Sequence, residues 1–178
     1  MTIRAIEHVG ITVPDLEQAT TFFTKAFGAE TLYDMLDEPL AGPAVESGLG
    51  IPPGATIESI RMMRLGEGPN LELFVYSGTT QRDPVVPSDY GLQHFCIYVD
   101  DIDKAASQLE EAGGTLLSQP NDLPGGDAGA GNRYLYARTP WGSTIELVTY
   151  PSTQAYEAGT QLRRWRPRAA ADHSQQEL

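Results

Sequence analysis

The feature that most constrains the fold of this chain is an internal repeat. The segment EHVGITVPDLEQA, which begins at residue 7, aligns without gaps with QHFCIYVDDIDKA, which begins at residue 93. The offset of 86 positions (94 − 8 = 86) pairs His8 with His94 and Asp15 with Asp101. Repetition of this length indicates that two similar structural units are joined in one chain.

Both units show the same order of predicted elements. The alternating, β-branched residues 6 to 13 predict a strand, and Pro14-Asp15 then ends the strand and caps a helix that closes at Gly28. In the second unit a matching apolar stripe closes at Gly113-Gly114. Further strand candidates follow each helix, at residues 31–32, 57–65 and 70–76 in the first unit and at 115–118, 133–138 and 143–150 in the second. Each unit is therefore predicted to be βαβββ, which places the chain in the α+β class.

The ends of the two units define the domain organisation. NLEL at residues 70–73 matches TIEL at residues 144–147, with an offset of 74 (144 − 70 = 74) rather than 86. The first unit therefore contains about 12 additional residues (86 − 74 = 12), which we place in segment 37–55. That segment is rich in glycine and proline, and we predict an inserted loop without regular structure. The predicted domains are residues 1–82, residues 83–152 and a C-terminal extension, residues 153–178, which is partly disordered.

Composition excludes several classes of partner. The net charge of −12 argues against nucleic acid and against anionic membrane surfaces, since both require a basic footprint. The single cysteine cannot form an internal disulfide, and no apolar segment follows the initiator methionine, so we expect a cytoplasmic protein. The C-terminal extension contains QLRRWRPR, and we expect this basic arm to fold back onto the acidic body or onto a second subunit.

Strand alternation places polar side chains together on the faces that the helices do not cover. His8 and His94 point away from the apolar positions of their strands, and the same alternation applies to Glu72 and Glu146. A carboxylate between apolar neighbours is costly to bury unless it is paired or bound to a cation. Two such acids, each matched to a histidine by the repeat, indicate a metal site with two nitrogen and two oxygen ligands.

The same alternation supplies candidates for a substrate pocket. The residues that share these faces with the histidines and glutamates are Thr12, Phe74, Cys96, Tyr98 and Thr144. They either line a substrate pocket or simply fill the space inside the sheet. Glu46, in the inserted segment, is the candidate for a second general acid or base, although solvated loop glutamates are common.

Taken together, these motifs resemble those of the vicinal oxygen chelate superfamily, which includes glyoxalases, methylmalonyl-CoA epimerases, extradiol dioxygenases, and fosfomycin and bleomycin resistance proteins. The resemblance covers about residues 3 to 151 and rests on HVGITVPDLEQA, NLELF, GLQHFCIYVDDIDKA and TPWGSTIELV. It implies two βαβββ modules that form a curled, cup-shaped mixed sheet with helices on the outside. It also implies one divalent metal ion per site, Zn, Ni, Co, Mn or Fe, bound by His8, Glu72, His94 and Glu146.

The resemblance favours an isomerase or epimerase that acts on a small carbonyl substrate through a metal-bound enolate. HVGITVPD is most similar to the methylmalonyl-CoA-epimerase-like branch, and Glu72 or Glu146 would move the proton. A glyoxalase-type lyase is an alternative, weakened because Thr12 stands where glyoxalase I proteins usually carry arginine. An extradiol-type dioxygenase is a further alternative, in which Glu72 as a fourth ligand would crowd oxygen and catechol. A metal-free small-molecule-binding or resistance protein is the last. We expect a homodimer.

Overall fold

The computed structural model describes residues 3–167. The first unit consists of β1 (His8–Thr12), α1 (Leu16–Phe27), β2 (Glu30–Asp34), α2 (Pro43–Leu49), β3 (Thr56–Arg64) and β4 (Asn70–Ser77). The second consists of β5 (Phe95–Tyr98), α3 (Ile102–Glu111), β6 (Thr115–Leu116), β7 (Asn121–Asp122), β8 (Arg133–Arg138) and β9 (Thr144–Thr149). Short 3-10 turns follow at Gly125–Asp127 and Ala155–Ala158. The part of the C-terminal extension that is predicted to be disordered lies largely outside the described residues.

Each unit forms one mixed sheet with a parallel pair at its edge. The strand orders are β1-β4-β3-β2 and β5-β9-β8-β6, with β7 paired to β8. In both sheets the edge strand, β1 or β5, runs parallel to the last strand of its unit, while the other pairs are antiparallel. The predicted α+β class and the βαβββ order are thereby confirmed.

The two main helices begin and end as the sequence predicts. The Asp15 carboxylate accepts a hydrogen bond of 2.7 Å from the backbone N–H of Gln18, and Gly28 ends α1 in the left-handed conformation at φ 66°. The Asp101 carboxylate caps α3 by accepting hydrogen bonds from two backbone N–H groups. These caps set the direction in which the chain leaves each edge strand.

The prediction that segment 37–55 lacks regular structure is wrong, because the segment contains helix α2. Pro43 occupies the first turn, where a missing N–H costs no hydrogen bond, and Gly50 closes the helix at φ 67°. Glycine and proline therefore delimit a short helix here instead of preventing one. The remainder of the segment pairs with β3 through a single bridge between Leu40 and Ile57.

One apolar core joins the two units. The helices α1 and α3 pack against each other and against one face of each sheet. The rings of Phe22 and Phe23 in α1 contact Trp141 of the second unit, with centroids 5.5 and 5.7 Å apart. We call the sheet faces that α1 and α3 do not cover the open faces. No helix within residues 3–167 is long and apolar enough to cross a bilayer.

Candidate metal centre

The open face of the first sheet holds a histidine and a glutamate in contact, which we call the first half-site. The Nε2 atom of His8 lies 3.3 Å from Oε2 of Glu72, whose side chain is only 14% exposed. In the β1–β4 register Glu72 lies opposite Gly10. A Cβ atom at Gly10 would lie 4.0 Å from the Glu72 carboxylate, an ordinary van der Waals distance, so Gly10 borders this group directly.

The other ring nitrogen of His8 is also engaged. Its Nδ1 atom lies 2.6 Å from a carboxylate oxygen of Glu7, which also accepts a hydrogen bond from Asn70. The hydrogen bond to Glu7, opposed by desolvation and aided by the charge of Glu72, raises the pKa of His8. The two ring nitrogens of His8 thus face two different carboxylates, Nδ1 that of Glu7 and Nε2 that of Glu72. This is the arrangement by which a second partner orients a metal-binding imidazole.

The open face of the second sheet repeats this design in the second half-site. The Nε2 atom of His94 lies 3.0 Å from Oε2 of Glu146, which is again 14% exposed. The Nδ1 atom of His94 lies 2.9 Å from the amide oxygen of Gln93, and the Tyr136 ring packs edge-on against the imidazole at 5.2 Å. Both glutamates are thus largely withdrawn from water beside a histidine.

Glu7 and Gln93 are the orienting residues that sequence analysis missed. They occupy equivalent positions, since the offset of 86 relates them as it relates the two histidines. The signal was present in the alignment, but a polar residue before a strand is so common that only its contact with the imidazole distinguishes it.

The two half-sites do not form one cluster in the described part of the chain. Within residues 3–167, no group of three or more histidine, cysteine, aspartate or glutamate side chains is placed to hold a metal ion. The half-sites belong to different sheets. His8 lies in the edge strand β1 of the first sheet, and His94 directly precedes the edge strand β5 of the second. The donor types fit a divalent metal, and each pair presents one imidazole nitrogen and one carboxylate.

The predicted pocket residues lie on the two open faces by strand alternation. They are Thr12, Phe74, Cys96, Tyr98 and Thr144. Cys96 lies opposite Glu146 in the β5–β9 register, while Thr144 is buried. Glu46 lies instead in α2, where its carboxylate accepts a hydrogen bond of 2.7 Å from the backbone N–H of Gly54. The roles of these residues in binding or catalysis stay predictions.

Three further tyrosines of the open faces, Tyr76, Tyr136 and Tyr150, were not among the predicted pocket residues. Desolvation and then the charge of Glu146 raise the pKa of Tyr136, and desolvation and then the charge of Glu72 raise that of Tyr76. Desolvation raises the pKa of Tyr150 to about 12. These hydroxyls therefore keep their protons near neutral pH and can donate hydrogen bonds to oxygen atoms of a ligand.

Comparison with known proteins gives concordant matches. The family model for the glyoxalase/bleomycin resistance protein/dioxygenase superfamily matches residues 5–147. A 2-epi-5-epi-valiolone epimerase from Actinomyces sp is 39% identical over 172 residues, which cover 95% of this chain and 92% of that protein. An ethylmalonyl-CoA/methylmalonyl-CoA epimerase from Cereibacter sphaeroides is 34% identical over 116 residues, covering 65% of this chain and 75% of that protein.

Solved structures agree at the level of the fold. A glyoxalase family protein from Bacillus cereus superimposes with a TM-score of 0.66 at 21% identity, covering 84% of this chain and 95% of that protein.

Proposed function

The chain belongs to the glyoxalase/bleomycin resistance protein/dioxygenase superfamily, and on that basis we propose that it is a divalent-metal-dependent epimerase of a cyclitol ketone. The observation that carries the proposal is the pair of matched half-sites, each with a largely buried carboxylate beside an oriented imidazole. The proposed substrate class, a cyclitol ketone, is taken from the name of the relative 2-epi-5-epi-valiolone epimerase, which this chain matches over 92% of that protein's length. The single free cysteine is in keeping with a cytoplasmic location.

The residues that would hold the metal are His8, Glu72, His94 and Glu146. When bound, a divalent metal would act as a Lewis acid that polarises the substrate carbonyl and makes the neighbouring C–H group acidic. The chain's own residues support the donor role of the imidazoles, because Glu7 and Gln93 bind the Nδ1 atoms and direct Nε2 towards each carboxylate.

The carboxylates are the groups that would move protons. Glu146 lies within reach of the Tyr136 hydroxyl and the Cys96 thiol, which both stay protonated at neutral pH. Epimerisation removes a proton from one side of a planar carbon and returns a proton to the other side. Two glutamates on separate sheets, Glu72 and Glu146, would supply one carboxylate to each side.

Assembly of the four ligands would require two copies of the chain. Among the described residues, the edge strands β1 and β5 are each unpaired on one side, and each is next to a half-site. Two residues before the histidines, the equivalent apolar side chains Ile6 and Leu92 are 71% and 65% exposed. We place the first half-site of one copy against the second half-site of the other, with these side chains in the seam. Such a homodimer would contain two complete sites.

The test of the reaction is proton exchange in D₂O. Metal-loaded protein is incubated with 2-epi-5-epi-valiolone, deuterium in the substrate is followed by NMR, and oxygen is followed with an electrode. An epimerase incorporates deuterium beside the carbonyl and forms the epimer without oxygen uptake. Oxygen uptake with ring cleavage would instead indicate a dioxygenase, and neither exchange nor turnover would contradict the proposal.

A further inference from the structure

The C-terminal extension is attached to the second unit by ion pairs. Nε of Arg163 lies 3.0 Å from Glu157, and Nη2 of Arg166 lies 3.1 Å from the same carboxylate. Nη1 of Arg164 lies 2.9 Å from Asp127, in the loop that precedes β8. The extension therefore follows a defined path over the protein, and each of these three arginines has a carboxylate partner.

Two arginines of this set pack on the Tyr150 ring of the open face. The guanidinium carbon of Arg166 lies 5.7 Å from the ring centre, and its Nη2 atom also contacts Glu157 and Gln154. Arg164 is the closer of the two. Its guanidinium carbon lies 5.0 Å from the centre of the Tyr150 ring, which follows Glu146 on the same face by strand alternation. The Cys96 thiol is within electrostatic range of Arg164 and forms a hydrogen bond with Glu146. The extension thus places a cation on the surface that carries the proposed base.

Tyr150 adds a second polar atom to the same place. Its ring is buried, and its hydroxyl oxygen has no hydrogen-bond partner among residues 3–167. Burying a hydroxyl without a hydrogen-bond partner is energetically unfavourable. Two polar groups, the Arg164 guanidinium and the Tyr150 hydroxyl, therefore lie together at the end of the open face beyond Glu146, where hydrogen bonding to a ligand is favourable.

The charge of Arg164 is compensated locally. Asp127 pairs with it and is itself held by a hydrogen bond of 2.8 Å from Nε2 of the buried Gln154. The Arg164 side chain is still 45% exposed, and guanidinium has five N–H donors in a fixed fork. A compensated cation of this kind provides donors for neutral hydroxyl groups, whereas an uncompensated one would favour a phosphate or carboxylate.

We propose that Arg164 is a specificity-determining residue that donates hydrogen bonds to hydroxyl groups of an uncharged, hydroxylated ketone. The inference rests on the proposed function and deepens it. It assigns a role to the C-terminal extension, which lies outside the residues that match the family model, 5–147. The carbonyl end of the substrate lies at the metal ligands, and Arg164 holds hydroxyls at the far end of the ring. Acyl-CoA substrates and phosphorylated ketones are disfavoured.

The first experiment compares Arg164→Met with Arg163→Met in the full-length, metal-loaded protein. Both variants remove one arginine from the extension, but Arg163 pairs with Glu157 and local carbonyl groups and not with Tyr150. Dissociation constants for 2-epi-5-epi-valiolone are measured by titration calorimetry, together with KM, kcat, Tm and metal content. We expect Arg164→Met to raise Kd and KM about tenfold, with kcat, Tm and metal content retained, as loss of a charged donor predicts. Arg163→Met should change Kd less than twofold.

A second variant, Asp127→Asn, tests the charge compensation. Asparagine keeps an oxygen that can accept from Gln154 but leaves Arg164 with uncompensated charge. The Kd for a phosphate monoester of the same ketone should fall at least threefold relative to that for the neutral ketone.

Three outcomes overturn the inference. They are an unchanged Kd in Arg164→Met, equal losses in Arg164→Met and Arg163→Met, and an unchanged preference for the neutral ketone in Asp127→Asn. If the wild-type protein binds the ketone but does not turn it over, only the proposed function is contradicted. The role of Arg164 is still decided, because the Kd values of Arg164→Met and Arg163→Met can be compared without turnover. A wild-type protein that binds no hydroxylated ketone contradicts both.

Discussion

Nε2 of His94 lies 3.0 Å from Oε2 of Glu146, and the first unit reproduces this contact between its own histidine and glutamate at 3.3 Å. A buried carboxylate next to an imidazole is stabilised by a shared proton or by a cation. The same arrangement recurs in both units at an edge of a sheet, so in the proposed metal site each half-site would provide two of the four ligands.

Complementation between two inactive variants should identify the chain of origin of each ligand. One variant carries His8→Ala with Glu72→Ala, and the other carries His94→Ala with Glu146→Ala. Each homodimer should lack metal and activity, whereas the co-expressed heterodimer should contain one complete site of two. Metal content is measured by mass spectrometry on heterodimer isolated with two different tags. A heterodimer without metal would show that the ligands do not combine across subunits.

Charge placed on the exposed apolar residues beside the half-sites should separate the subunits. Ile6→Lys and Leu92→Lys should convert a dimer to a monomer in analytical ultracentrifugation and lower metal content in parallel, because burying an unpaired ammonium is costly. Leu49→Lys is the matched control, since Leu49 is also exposed but lies in α2. Unchanged sedimentation of both variants would contradict the proposed seam.

The reactivity of Cys96 should report the charge of Glu146. Desolvation, followed by the charge and a hydrogen bond of Glu146, raises the pKa of the Cys96 thiol, so the thiolate is scarce at pH 8. In metal-free protein, reaction with a disulfide reagent should be slow and should accelerate roughly tenfold per pH unit between pH 7 and 9. Glu146→Gln should lower the pKa and speed the reaction at pH 8. A rate that does not change on this substitution would count against the contact.

Removing the cap of α3 should destabilise the protein. Asp101→Ala deletes the acceptor for two backbone N–H groups and should lower the free energy of unfolding in urea by about 1 kcal/mol. Asp100→Ala is the control, because the Asp100 carboxylate forms no hydrogen bond within residues 3–167, and its effect should stay within about 0.5 kcal/mol. Equal effects of the two substitutions would show that charge near the helix, and not capping, is responsible.

Much of the fold could be predicted because its determinants are local. The alternation in β1 and β4 assigns His8 and Glu72 to one face, since successive side chains of any strand point to opposite sides. The caps of α1 and α3 depend on residues within one turn of each helix. By contrast, α2 was missed because its short sequence resembles a loop, and its boundaries depend on where Pro43 and Gly50 stand.

The sequence by itself determined the repeat, the βαβββ order and the four side chains that share the open faces. Only the tertiary structure decided that each histidine contacts the glutamate of its own unit, that the two pairs stay apart in one chain, and that Arg164 packs on Tyr150. The physical reason is the separation along the chain of the residues that interact. Strand alternation and helix capping follow from the covalent geometry of neighbouring residues, whereas the meeting of edges, faces and the C-terminal extension depends on packing between segments that are far apart in the chain.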